Sequence, residues 1–588
     1  MRIPTPNRDL GSGARSREQQ ELQTRLQPRY AWRLRSAQPP QSISALLSAL
    51  LQFRGVGESA AAAFLNPSYE ATLQQSAVLP QCGPAVARIQ RALKISEPIA
   101  IFGDYDVDGV TGAALLAEAL TGLGGVVRVE LPHREDGYGL SVSAVRRLVP
   151  PATLLITVDN GTSASAAVAD ALSRGADVII LDHHAVTGSL PPGALVVNPA
   201  LPSAQYPEPF PAAVGVAWKL AAALFAAEGR AGDERFLLDL VALGTLADSV
   251  KLLGENRVLV RWGLEVLRRS RRPGLHALAE RAGAALRDVT ADTVTFRLVP
   301  RLNAAGRLRH ANLALELLRT THEGTAQRLA SELDAVNEER RLLTEEIMAE
   351  VRRSLGEPFP PVVVASGPWP LGLLGVLAGR LAEEYQRPAV AVAVRDDECV
   401  ASIRGPKQGP ERDAGTNMVE LVGEMKGLLT KYGGHAGAAG FSFPRSALGA
   451  VEDFFRAHAP VTPNGAQPEL MLDCPLLLAL VTPDLTRALN ALEPFGNGNE
   501  RPVFLFHGLS VAESRSIGTN GDHLRMVLRH PEHAMPGSAV AFRWGNRPRP
   551  PLGSRVDVAA EIRQDRFRGM LRVDLHVQDL RGAVAPAP

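Results

Sequence analysis

Residues 104–109 read DYDVDG, three aspartates at alternate positions directly after the apolar run PIAIFG (98–103). Carboxylates this close repel one another unless a cation lies between them. Two more polar clusters follow apolar runs in the same way: LLITV leads into Asp159 of DNGT, and DVIIL leads into Asp182, His183 and His184. A fourth acid, Asp248, sits in GTLADSVKL after a helical-looking stretch. Carboxylates with one or two imidazoles make an oxygen-rich ligand set that suits Mn²⁺ or Mg²⁺ better than thiolate-bound zinc. Their number exceeds what one divalent ion needs, whereas two ions about 3.5–4 Å apart with a bridging carboxylate would use them all. One DxD after a strand is commonly a turn or a helix cap, and one His-His pair means little. Three such clusters at successive strand ends are the informative feature.

These clusters need a scaffold that brings strand ends together. From 98 to about 250, apolar strands (IAIFG, VVRVEL, TLLITV, DVIILD, ALVVN) alternate with Ala-rich helical stretches. That rhythm implies a parallel sheet covered by helices, whose strand ends share one ligand-binding rim. Helices dominate from 211 to 355, ending in an uninterrupted charged stretch at 326–355 that would span about 45 Å as one helix. The segment EPFPP (357–361) opens a second α/β region, with PVVVAS and PAVAVAV as strands, and APVTPNGAQP (459–468) leads into the last part. From about 494 to 580, short alternating runs suggest a small antiparallel barrel. The expected division is an N-terminal arm (1–40, read as loose), a catalytic domain (41–325), a connecting helix (326–356), a second α/β domain (357–462) and a barrel with tail (463–588).

A chain of 588 residues is too long for one core and points to three or four domains. No apolar run reaches membrane-span length and the N-terminus lacks a signal-peptide h-region, so a cytoplasmic location without membrane contact is expected. Cys82, Cys399 and Cys474 are far apart and form no CxxC pair, which leaves oxygen and nitrogen as metal ligands. Six lysines stand against 57 arginines at a net charge of +1. Codon usage accounts for such a bias, so composition alone does not establish nucleic-acid binding.

DYDVDG, VDNGT, LDHH and GTLADSVKL resemble the four signature motifs of the DHH phosphoesterase superfamily. RLNAAGR (301–307), GGHAGAAGF (433–441) and EPFGNGNERPVF (493–504) resemble the fuller pattern of its RecJ branch of single-strand-specific exonucleases, over roughly residues 45–580. The resemblance implies that Asp104, Asp106, Asp159, His183 and Asp248 are ligands of two divalent ions, Mn²⁺ or Mg²⁺, with Asp159 bridging. It makes His184 a further ligand or a phosphate contact, and has Asp108 and Asp182 orient the ligands. Many superfamily members have a histidine four residues before the first aspartate; Ala100 stands there, as in the RecJ branch.

The same resemblance makes 357–462 a DHHA1-type domain that closes over the metals and grips phosphate. Arg301, Asn303 and Arg307, set around a small-residue turn, would contribute, with Ser402, Arg404 and His435. Two departures stand out: Pro370 in WPLG replaces a family histidine, and ASIRG keeps Ser402 and Arg404 with altered flanks. The C-terminal part is implied to be an OB fold. Residues 501–580 hold 12 arginines, eight acids and no lysine, with Phe504, Phe506, Phe542, Trp544 and Phe567. Basic side chains interleaved with aromatics suit single-stranded nucleic acid; at least three of the five aromatics are expected in the core, and Arg543, Trp544 or Phe567 could reach the strand.

The expected function is a two-metal exonuclease removing mononucleotides from the 5′ end of single-stranded DNA in recombination and repair, beside a helicase and the single-strand-binding protein. The alternatives are a phosphodiesterase or pyrophosphatase of small substrates, which would need only the two α/β domains, and a non-catalytic single-strand-binding relative.

Overall fold

The computed structural model describes residues 22–583 apart from 74, 134–136, 138, 187, 357–359, 407–416, 458–466, 519–520, 531–535, 546 and 568–569. The expected calls on residues 1–21, on most of the 459–468 junction and on the Phe567 side chain lie outside the described residues. At its centre the five apolar runs form one parallel sheet in the order Val126–Glu130, Pro98–Gly103, Leu154–Val158, Asp177–Leu181, Leu195–Val197. The runs are continuously apolar because both faces of the sheet are covered. Ile99, Ile101, Leu154, Ile156 and Ile179 face a core built with helices Val107–Gly122, Ala213–Ala227 and Leu238–Asp248. Ala100, Phe102, Leu155, Val178 and Ile180 face helices Val142–Leu148 and Ser165–Ser173. The strand order reverses between Pro98–Gly103 and Leu154–Val158, which is where such sheets open a crevice at their carboxyl ends.

The charged stretch forms a single helix, Glu323–Ser354, of 32 residues, about 48 Å long. Beyond it stands a mixed sheet in the order Lys431–His435, Ala438–Pro444, Glu398–Arg404, Ala389–Val394, Val363–Gly367. ASIRG and GGHAGAAG therefore lie on neighbouring strands and their hairpin, with Ser402 opposite Gly440.

The C-terminal strands Val503–Ile517, His523–Arg529, Gly537–Ala541, Met570–Gly582 and Arg555–Phe567 close into a five-strand barrel through the pairing of the first with the last. It is not wholly antiparallel, since Gly537–Ala541 pairs in parallel with Met570–Gly582. Phe504, Phe506 and Trp544 fill its core, whereas Phe542 is 53% exposed.

Residues 22–36 are not a loose arm. Leu22 and Leu26 join the barrel core, Ala31–Leu34 pairs in parallel with Glu469–Leu472, and Trp32 Nε1 donates to Asp579 at 2.9 Å. The helix Ile43–Phe53 also buries Leu46, Leu50 and Leu51 against the barrel cluster rather than against the catalytic sheet.

Candidate metal centre

Strand register decides which side chains meet. Gly103 pairs with Val158, Val158 with Leu181, and Leu181 with Val197. The next residue on each strand, Asp104, Asp159, Asp182 and Asn198, therefore leaves the sheet at one level, beside the switch point.

Each acid is held by local backbone chemistry. Asp106 caps the helix Val107–Gly122, accepting from the N–H groups of Asp108 and Gly109 at 3.0 and 3.2 Å, as N-cap aspartates do. Asp108, fully buried, accepts from Ala213 and Val214 N–H at 2.8 and 2.9 Å, at the start of helix Ala213–Ala227. Its bonds go to the scaffold, the orienting position expected for it, although its Oδ2 also lies 3.9 Å from His183 Nε2. Asp159 is 3% exposed and has φ +67°, a left-handed turn that swings its carboxylate over the rim. The turn is fixed by Thr157 Oγ1 donating to Asn160 O at 2.7 Å and by Gly161, whose added Cβ would stand 2.6 Å from that hydroxyl. Asp182 accepts from Thr162, His183 and His184 N–H and from His184 Nδ1 at 2.7 Å. Asp248 is the last residue of helix Leu238–Asp248, and Ser249 ends that helix at φ +62°.

The ligand atoms gather in overlapping groups. Asp104, Asp106 and Asp159 form one; Asp159, His183 and His184 form a second; Asp108, His183 and Asp248 form a third. His183 stands between carboxylates, its Nε2 3.4 Å from Asp159 Oδ1 and its Nδ1 3.8 Å from Asp248 Oδ2. That buried Nε2 makes no hydrogen bond. The sequence-predicted ligands are thus brought together, with Asp159 and His183 each shared between groups.

The electrostatics fit cations. Burial, then repulsion from Asp108, Asp106, Asp104 and Asp248, pushes the Asp159 carboxyl well above its ordinary value. Burial and the neighbouring Asp248 and Asp106 do the same to Asp108. Burial raises Asp248 against the opposing pull of His183, and it lowers His183 itself. A neutral imidazole among carboxylates that repel one another is the donor set that divalent Mn²⁺ or Mg²⁺ satisfies.

The phosphate-contact candidates divide. His435 reaches the rim, its ring stacked on that of His184 with centroids 6.4 Å apart. Arg404 and Ser402 cover Gly375 at the start of helix Leu374–Tyr385; a Cβ there would lie 3.3 Å from the guanidinium and 3.7 Å from Ser402 Oγ. Partial burial lowers the Arg404 pKa, and among the described residues its guanidinium has no ion-pair partner. RLNAAGR is not a turn but part of the helix Val299–Leu308. Its small residues serve close approach: a Cβ on Gly306 would lie 2.3 Å from Tyr105 O in DYDVDG. Asn303 Oδ1 accepts from Val107 N–H at 3.2 Å, and Arg307 donates to Gly372 O at 3.0 Å. Pro370 caps the short turn Leu371–Leu373 that carries Gly372. Arg301 is committed elsewhere, donating to Asp334 at 2.8 Å and to Arg297 O at 2.7 Å. Helical periodicity turns it away from Asn303 and toward the long helix.

Sequence reasoning missed Asn198 and Thr162. Asn198 Nδ2 donates to His184 O at 3.0 Å and to Thr162 Oγ1 at 3.3 Å, which ties the fourth rim position to the histidine pair. The signal was present, because ALVVN ends in a polar residue as the other strands do.

Comparison with known proteins agrees with this architecture. The DHH family N-terminal domain matches residues 98–245, the DHHA1 domain 360–458 and the RecJ OB domain 472–579. The single-stranded-DNA-specific exonuclease RecJ of Bacillus subtilis is 32% identical over 91% of this chain and 68% of its own length. That of Thermus thermophilus is 33% identical over 95% of this chain and 81% of its own. The crystal structure of Thermus thermophilus RecJ with Mn²⁺ superposes with a TM-score of 0.77 at 32% identity, covering 95% of this chain and 80% of that one. The Mg²⁺ complex gives 0.70 at 31% identity, covering 95% and 79%. With its carboxylate rim, its three matched domains and this similarity along nearly the whole chain, the protein belongs to the RecJ family.

Proposed function

We propose that the protein is a metal-dependent exonuclease that degrades single-stranded DNA from the 5′ end to mononucleotides. The observation that carries this reading is the placement of Asp159, in register with Asp104 and Asp182, between two groups of ligand atoms. Two divalent ions, Mn²⁺ or Mg²⁺, bound there would supply Lewis-acid charge at the scissile phosphate and activate water.

The chain's own residues do the rest. Asp104, Asp106 and Asp159 would hold one ion, and His183, flanked by Asp159 and Asp248, would serve the other. Asp182 fixes the ring of His184, which with His435 faces the phosphate. Arg404 and Ser402, at the start of a helix, take non-bridging phosphate oxygens, because a guanidinium and a helix N-terminus both favour anions. Asn303 and Arg307 act one step back by seating DYDVDG and the Gly372 turn. No side-chain nucleophile is needed.

The relatives are named for action on single-stranded DNA, and this chain carries a barrel that a small-substrate enzyme would not need. A role in recombination and repair, with a helicase and the single-strand-binding protein as partners in the cytoplasm, belongs to the same reading. Among the described residues no helix is long and apolar enough to cross a membrane.

The test is incubation with Mn²⁺ and five substrates: single strands labelled at the 5′ or the 3′ end, duplex, a dinucleotide and pyrophosphate. Mononucleotide release from the 5′ end of the single strand, lost in Asp159→Ala, is expected. Cleavage of the dinucleotide or pyrophosphate alone would favour a small-substrate enzyme, and binding without cleavage a scaffold.

A further inference from the structure

The stretch EPFGNGN (493–499) precedes the barrel in sequence, yet its tip lies against the residues that follow Asp248. Asn497 Nδ2 donates to Ser249 O at 2.7 Å, and Leu252 N–H donates back to Asn497 O at 2.7 Å. Gly496 and Gly498 allow this approach: their added Cβ atoms would lie 2.7 Å from Leu252 Cδ1 and 3.1 Å from Lys251 Cβ. Ser249 is the left-handed residue that ends the helix of Asp248. A non-glycine residue in that conformation persists only when its surroundings hold it, and Asn497 is bonded to its carbonyl.

The loop itself is anchored from both sides. Asn499 is fully buried, donating to Leu492 O and Pro494 O at 2.9 and 2.8 Å and accepting from Arg54 Nε at 2.8 Å. Arg257, on the helix that follows Leu253, is 2% exposed and donates to Leu492 O at 2.8 Å and Ala491 O at 3.2 Å. Arg261 adds a bond to Glu493 O at 3.2 Å. A loop on the barrel side, hydrogen-bonded on both flanks, thus contacts the residue that ends the helix of Asp248.

We propose that Asn497 is a positioning residue for the ion position shared by His183 and Asp248. This rests on the reading of Asp248 as a metal ligand. Removing the Asn497 donor frees the Ser249 turn, and Asp248 then spends less time facing His183. Partners that orient a ligand typically contribute 10–100-fold to metal affinity or activity. Asn497 acts through the backbone, so the lower end of that range is expected.

The experiment is calorimetric titration of the metal-stripped full chain with Mn²⁺, for wild type, Asn497→Ala, Asn497→Asp and Asp248→Ala. Asn497→Asp keeps the shape but lacks the donor. Both Asn497 variants should weaken one of the two Mn²⁺ events about tenfold and leave the other unchanged, with the melting temperature preserved. Turnover at low Mn²⁺ should fall and recover at saturating Mn²⁺, with the KM for single-stranded DNA unmoved. Wild-type titrations for both variants, while Asp248→Ala loses one event, would overturn the proposal alone. Equal weakening of both events with a lowered melting temperature would also overturn it, as a merely structural effect. Retention of both events in Asp248→Ala would overturn the ligand assignment along with the proposal.

Discussion

His184 donates its Nδ1–H to Asp182 Oδ1 at 2.7 Å, and that carboxylate also accepts the backbone N–H groups of His183 and His184. The pair fixes the orientation of the His184 ring at the rim. Burial pushes the Asp182 carboxyl up, but the His184 bond and charge outweigh it and hold the group well below the ordinary carboxylate range. Asp182→Asn keeps the shape and removes the charge. Turnover at subsaturating Mn²⁺ should drop roughly 10–100-fold; wild-type turnover would show that His184 needs no orienting partner.

Metal removal should couple to pH. Asp108, Asp159 and Asp248 have carboxyls raised above their ordinary values by burial and mutual repulsion. In the metal-free protein each is easier to keep protonated when folded than when unfolded. Their contribution to stability is present at low pH and is lost as pH rises from the ordinary carboxylate pKa through the raised one. Mn²⁺ competes with those protons, so it should raise the melting temperature more at about pH 8 than at about pH 5. Thermal melts with EDTA or Mn²⁺ across that range check this, and a pH-independent shift would contradict it.

Arg404 and Arg301 carry the same charge and should behave oppositely. Arg404 has no ion-pair partner among the described residues and faces the start of a helix. Arg404→Ala should raise the KM for single-stranded DNA at least tenfold, about 1.4 kcal/mol, with little change in stability. Arg301 bonds Asp334 and two backbone carbonyls. Arg301→Ala should cost roughly 1–2 kcal/mol of stability and leave KM alone. Steady-state kinetics and urea unfolding separate the two.

Two glycines set close approaches at the helix Val299–Leu308, Gly306 within the catalytic domain and Gly372 between that helix and the second α/β domain. A Cβ at Gly306 would lie 2.3 Å from Tyr105 O, and one at Gly372 would lie 2.0 Å from Arg307 O. Gly306→Ala should therefore displace DYDVDG, costing about 1–3 kcal/mol and a larger share of activity than of stability. Urea unfolding beside a cleavage assay would show this, and an unchanged rate would mean the loop is not coupled to that helix.

The rim was legible because a parallel sheet turns one-dimensional spacing into shared position. Once the runs before Asp104, Asp159 and Asp182 were read as strands, their ends had to coincide. RLNAAGR misled because Ala-Ala-Gly is as compatible with a helix in close packing as with a turn, and only the neighbouring backbone of Tyr105 decides. The pairing of Ala31–Leu34 with Glu469–Leu472 and the contact of Asn497 with Ser249 join residues hundreds of positions apart. No local periodicity carries such information. Exposure within the barrel was equally hidden: Phe542 and Trp544 are two residues apart, yet the first is solvent-facing and the second is in the core.

The most direct measurement is anomalous diffraction at the manganese edge from crystals soaked in Mn²⁺, wild type beside Asp159→Ala. Two peaks about 3.5–4 Å apart are expected in the wild type, one against Asp104 and Asp106 and one against His183 and Asp248, with Asp159 between them. At least one should vanish in the variant. A single peak, or two peaks of which neither touches Asp159, would contradict the shared-carboxylate centre.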